Sequence, residues 1–179
     1  MVEKLKARLE AILPTLRTLG QWLVLSGLAG AACGLAGAAF TWCVAQATAL
    51  RGAHPWLLFC MPIAGLIIVW SYRTAGMEND SGTNQIIASV RGGERPPARL
   101  APLIFLGSVL THLTGGSAGR EGAALQIGGS ISAGIGRLLR LGDRNTNTII
   151  QCGMAGLFSA LFGTPLTATV FAMEVVNVG

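Results

Sequence analysis

The chain has 179 residues, 51% of them hydrophobic and 12% charged, with a mean hydropathy of +0.58. A soluble domain carries about a quarter of its residues as charges, so this composition excludes an ordinary soluble globule and points to an integral membrane protein. The net charge of +5 comes from 13 basic and 8 acidic residues spread over the N-terminus and several loops; with no aromatic-studded basic face, nucleic acid is excluded as a partner.

The opening stretch MVEKLKARLEAILPTLRTLG continues its charges through Glu10 and Arg17, and no small-residue cleavage site follows a short apolar core. It does not have the pattern of a signal peptide. Residues 1–18 read instead as an amphipathic helix, with Leu5, Leu9, Ile12 and Leu13 near one face. Lys4, Lys6 and Arg8 would meet anionic headgroups, which places this helix on a membrane surface. Residues 19–179 then form the transmembrane domain.

The first span runs from Leu19 to Leu50 without a charge. Trp22 and Trp42 bracket about 30 Å of helix, the thickness of the hydrocarbon core, and indoles favour its borders. Gly27, Gly30, Gly34 and Gly37 form a smooth stripe against which another helix can pack closely. After a turn at residues 51–55, a second span from Trp56 to Tyr72 again has aromatic ends. SGTNQIIASV, residues 81–90, is too short to cross a bilayer; a half-helix buried in protein and a surface helix both fit it. Apolar runs follow over residues 98–114 and 123–139. Asp143 is placed to cap a helix starting near Arg144, Gly163 interrupts that helix, and Pro165 sits near the start of a last one ending at about Val178.

Cys33, Cys43, Cys60 and Cys152 lie in apolar sequence with the spacing of neither a zinc site nor a disulfide framework, so they read as small buried side chains. Lysine and arginine concentrate at the N-terminus and over residues 73–99, which two spans connect, so both regions are expected on the cytosolic side.

The stretch GGSAGREGAALQIGG, residues 115–129, puts an arginine and a glutamate among glycines and apolar residues. If a helix starts at Gly119-Arg120-Glu121-Gly122, its free amides favour negative charge, and either the Glu121 carboxylate or a small anion can occupy that place. The two would compete, and protonation of Glu121 would release the place to the anion. A solvated loop accommodates the same residues. Arg120 does not face Glu121 and either pairs with another segment or sets the local potential. Ser81-Gly82 opens the short segment upstream; if both starts point inward, their N-terminal ends meet, as broken helices do at transporter ion sites. His112 either titrates near neutral pH or is a hydrogen-bonded buried histidine, and His54 is solvated. No nucleophile–base pair accompanies Glu121 and no phosphate-loop spacing occurs. The sequence suggests neither an enzyme nor a cofactor or metal site.

These residues resemble the CLC family of chloride channels and anion/proton exchangers. GREG at 119–122 is similar to its G(K/R)EGP signature, and GMAGLFSALFGTPLTATVFAMEVV at 153–176 to a later segment of the form AGxxxAFxxPLxGxxFxxE. SGTNQII at 81–87 resembles a divergent GSGIPEI. The resemblance implies an all-α integral membrane protein, multi-pass in an inner or plasma membrane. It implies a CLC-like first inverted repeat with tilted and broken helices, truncated before the second repeat, and a homodimer in the complete protein. By the same resemblance Ser81 is the anion-coordinating serine beside Gly82, Glu121 the gating glutamate, and Gly119, Arg120 and Gly122 its motif neighbours. Glu174 is the first of two glutamates, with a structural or proton-related role, and Val175 replaces the second, which relays protons in exchangers. Ala123 stands for the usual proline.

The function implied is transport of chloride or another small anion across the lipid bilayer, gated by Glu121, with residues 1–179 inactive alone. Fluoride/proton exchange is the alternative, motivated by GREGA and Val175 and placed after chloride because Ser81 is retained. A non-conducting subunit that binds a membrane partner is the third reading.

Overall fold

A computed structural model describes the backbone of residues 2–177 and the side chains of residues 13–177. The expected face of Leu5, Leu9 and Ile12, the basic residues Lys4, Lys6 and Arg8, and the end at Val178 therefore lie outside the described residues. Helix α1 (Val2–Ala53) leads through a 3₁₀ helix (Pro55–Cys60) into α2 (Met61–Thr74). Then follow α3 (Thr83–Val90), α4 (Leu100–Leu113), α5 (Arg120–Leu138), α6 (Asp143–Phe162) and α7 (Pro165–Asn177). The described chain is all-α. Leu13–Ala53 and Pro55–Thr74 are long and apolar enough to cross a membrane.

Helix α5 occupies the middle. Every side chain from Ala123 to Ser130 is buried, with α1, α3, α4 and α6 packed around it. Small residues permit this. At Gly128 a Cβ would strike the Gly153 carbonyl of α6, and at Gly129 it would come within 2.6 Å of Ile86 in α3. Backbones approach where side chains are absent, which is how helices associate when lipid supplies no hydrophobic drive. Large apolar side chains point outward instead, among them Leu35, Phe59, Leu66, Trp70 and Leu166.

The glycine stripe of α1 is only partly used. Gly37 leaves 2.7 Å between its would-be Cβ and Ala160, and Gly30 lies against Gly156, whereas nothing in the described chain approaches Gly27 or Gly34. Hydroxyls inside the helices bond back to their own backbone, as Thr48 does to the Val44 carbonyl and Ser71 to that of Ile67. That satisfies them without water.

Two local expectations are corrected. Asp143 is not the cap of α6: Gly142 takes that position, and Asp143, in the first turn, is paired with Arg95. A long-range cation outcompeted the local amide. Of the cysteines only Cys33 is fully buried; Cys43 in α1, Cys60 at the end of the 3₁₀ helix and Cys152 in α6 are partly exposed.

Candidate functional site

The two glycine-marked helix starts come together. Gly122, in the first turn of α5, leaves only 3.1 Å between a would-be Cβ and Thr83 Oγ1, in the first turn of α3. Gly82 caps α3 at φ +63°, a left-handed conformation that a side chain would resist, and Gly119 caps α5 from an extended conformation. Neither start has a side-chain cap, so its first amides remain available.

Gln126 fastens this junction. Its Nε2 donates to the Gly122 carbonyl at 3.2 Å and to Thr83 Oγ1 at 3.4 Å. A carbonyl only accepts, so the amide must present its nitrogen there. Oε1 is thereby buried without a hydrogen-bond partner among the described residues. Gln126 and Thr83 were not singled out in the sequence as site residues. The available signal was a lone amide in a glycine-rich apolar helix, one turn after GREG.

Glu121 is exposed in the first turn of α5, where the positive end of a helix favours a carboxylate. Arg120 is exposed beside it and makes no ion pair among the described residues. Ser81 is exposed and precedes the capping Gly82, so its hydroxyl is not the cap of α3. His112 is half-buried on α4 and its Nδ1 bonds the Ser108 carbonyl at 2.8 Å. Glu174 is exposed on α7, and Val175 packs against the apolar cluster of Leu125, Ile150 and Met154. The fold therefore groups Gly82, Thr83, Gly119, Arg120, Glu121, Gly122 and Gln126 at two adjoining helix starts, while Glu174 and Val175 belong to a different helix. Among the described residues no His, Cys, Asp and Glu side chains gather as metal ligands.

A cleft of about 290 Å³ adjoins the junction, between α2, α4 and α5; Tyr72, Ser108, Thr111, Gly119, Gly122 and Gln126 line it. A second, of about 420 Å³, opens on the side of Arg73, Glu78, Asp80, Gln85, Glu94 and Arg99.

Two adjoining helix starts inside an all-helical fold whose outer face carries large apolar side chains, with two helices long and apolar enough to cross a membrane, are the make-up of an integral membrane domain. Residues 64–178 match the family model described as voltage gated chloride channel, and the chain belongs to that family. It is 35% identical over 162 residues to a chloride/fluoride channel protein of Pseudomonas syringae pv. tomato, covering 90% of this chain and 36% of that protein. It is 31% identical over 169 residues to the H(+)/Cl(-) exchange transporter ClcA of Cronobacter sakazakii, covering 85% and 36%. Among solved structures it is similar to a CLC-type fluoride/proton antiporter, with 35% identity and a TM-score of 0.81 over 87% of this chain and 40% of that one. The chain thus spans well under half the length of these relatives. It has the helical fold of part of a larger CLC protein, and the family is one of channels and exchangers, not of enzymes.

Proposed function

We propose that this chain contributes one side of a small-anion pathway in a CLC-type transporter, with the anion held where α3 and α5 begin. The observation that carries the reading is the apposition of Gly122 and Thr83, which brings two uncapped helix starts together. An anion there would meet amides from both starts, with the Ser81 hydroxyl and Gly82 on one side and Gly119 on the other. Glu121 competes for the same amides when ionised and leaves them when protonated, while Arg120 raises the local potential. Val175 carries no proton, and Glu174 lies exposed on another helix, away from the two starts. The complete protein works as a homodimer in a cell membrane.

Fluoride exchanged for protons is the ion chemistry we favour over chloride. The similarity to a fluoride/proton antiporter and to a chloride/fluoride channel protein supports it, as do Ala123 and Val175. The test is efflux of fluoride and of chloride from liposomes holding the complete protein, with and without Glu121→Gln. Fluoride should leave faster than chloride, and the substitution should remove the pH dependence. Flux indifferent to both pH and the substitution defeats the gating role, and faster chloride defeats the fluoride assignment.

A further inference from the structure

The cleft of about 290 Å³ beside the α5 start is lined by oxygen atoms that the described chain leaves without a hydrogen bond. Gln126 is 9% exposed; with its Nε2 committed to the Gly122 carbonyl and to Thr83, its Oε1 has no partner among the described residues. Ser108, on the facing helix α4, is 8% exposed, and its hydroxyl bonds to nothing among the described residues. Thr111 in the same helix shows the usual alternative, a bond back to the Gly107 carbonyl at 2.7 Å. The half-buried Tyr72 brings a further hydroxyl to the lining. A buried amide oxygen accepts and cannot donate, so whatever fills the cleft at Gln126 must carry a hydrogen. A bare anion is repelled there. Water fits: it donates to Oε1, Ser108 offers the second polar partner that a buried water needs, and the cleft has room for several molecules at about 30 Å³ each.

Resting on the anion-pathway reading above, we propose that Gln126 is a specificity-determining residue of this transporter: water held at its Oε1 stays in the cleft and hydrogen-bonds the anion at the α5 start, which favours fluoride over chloride. The cleft reaches that start, since Gly119 and Gly122 line it together with Gln126. One hydrogen of the water goes to Oε1, and the other is free for the anion that the uncapped amides attract. Fluoride is the smaller ion and binds its hydration water more tightly, so losing that shell costs it more. Amides alone replace part of the shell, and a resident water supplies another part. Chloride spreads the same charge over a larger radius and gains less from the same hydrogen. Two features keep the water in place. The Gly122 carbonyl takes only a donor, so the amide nitrogen stays at the junction and the oxygen stays on the cleft side. Ile68, Ile104 and Ala123 make the rest of the lining apolar, so the water has few other partners to move to.

The experiment compares the efflux of fluoride and of chloride, each alone, from liposomes holding the complete protein. Gln126→Met keeps the length of the side chain without its oxygen, and should lower the fluoride-to-chloride rate ratio by about tenfold, the scale of one hydrogen bond to an ion. Ser108→Ala leaves Gln126 and the α3–α5 junction in place and should lower the ratio in the same direction; it decides the matter if the methionine variant does not fold. Thr83→Val removes a partner of Nε2 and none of Oε1, so both rates should fall together and the ratio should hold. An unchanged ratio in Gln126→Met or in Ser108→Ala overturns the proposal. A ratio lost equally in Thr83→Val overturns it as well, because the junction and not the held water would then set the preference. Each of these outcomes is read against wild-type protein that passes fluoride faster than chloride; wild-type protein that passes chloride faster, or no anion, defeats the transport reading itself.

Discussion

Gly122 and Thr83 stand 39 positions apart in the chain, yet a methyl group added to the glycine would sit 3.1 Å from the threonine hydroxyl. Gly122→Ala is therefore a graded wedge between two helix starts. The hydroxyl must yield by a few tenths of an ångström, and Gln126 loses its reach to Thr83. The expected stability cost is about 1–2 kcal/mol, within the range for overpacking. Anion flux should fall by more than that cost suggests, because the amides of both starts shift. Thermal unfolding in detergent and liposome efflux report the two effects separately. Wild-type flux from a destabilised protein would remove the junction from the pathway. Gly122→Ala combined with Thr83→Ser should recover part of both losses, since the smaller side chain can swing aside.

Gly128 tests the fold and not the site. Its would-be Cβ collides with the Gly153 backbone carbonyl and lies 3.0 Å from Leu157 Cβ, neither of which can rotate away. Gly128→Ala has to separate α5 from α6, where two backbones touch. Its cost should exceed about 3 kcal/mol, beyond the common range for core overpacking because backbone is struck. Size-exclusion profiles of the detergent-extracted protein should show aggregate in place of a folded peak. Gly119→Ala, whose Cβ meets nothing within 4 Å, should give a normal profile. A folded Gly128→Ala protein would mean that the two helices are not in backbone contact.

The contrast between Gly128 and Gly119 also marks what the sequence could reveal. Period, punctuation and composition made the helices from α3 to α7 readable, because a helix start at Gly119 or a break at Gly163 is a local event, whereas the join of residues 1–18 and 19–50 into one α1 and the 3₁₀ helix before α2 were not. The meeting of two helix starts was readable as a possibility only, since Ser81-Gly82 and Gly119–Gly122 each announce a turn but not its direction. The partner of a glycine is not local. Nothing in GGSIS says that Gly128 faces Gly153 whereas a Cβ at Gly34 would meet nothing within 4 Å among the described residues. Asp143 shows the same limit: beside the start of α6 it has the chemistry of a cap, and only the fold brings Arg95 to it across 48 positions. Gln126 escaped for the opposite reason. Its neighbours Gly122 and Thr83 are legible as loop chemistry, whereas its role depends on which way an amide turns after the fold has closed.

The Arg95–Asp143 pair should matter little. The Asp143 side chain is 94% exposed, so water screens the pair and both side chains lose freedom to hold it. A double-mutant cycle with Arg95→Ala and Asp143→Ala should give a coupling below about 1 kcal/mol, smaller still in high salt. A larger, salt-insensitive coupling would place this contact in a buried network and not at the surface. Either single substitution should leave protein yield unchanged.

Phe40 carries the seam between α1 and α4. It is fully buried, and its ring meets Phe105 edge-on, with centroids 5.4 Å apart and planes 73° apart. Cys33, Ala124, Ile127 and Leu157 belong to the same cluster. In a membrane, lipid is as apolar as this core, so moving the ring out of protein gains or loses little by transfer. What Phe40→Ala removes is dispersion contact and the edge-to-face pair, and what it leaves is a void that surrounding helices fill only in part. The expected cost is about 2–4 kcal/mol, somewhat under the usual figure for a soluble core because the transfer contribution is missing. Phe40→Leu keeps most of the volume and should cost under about 1.5 kcal/mol. Unfolding of the two variants in the same detergent decides the matter. If leucine and alanine destabilise equally, ring geometry and not filled volume holds the seam, and Phe105→Leu must then reproduce the loss.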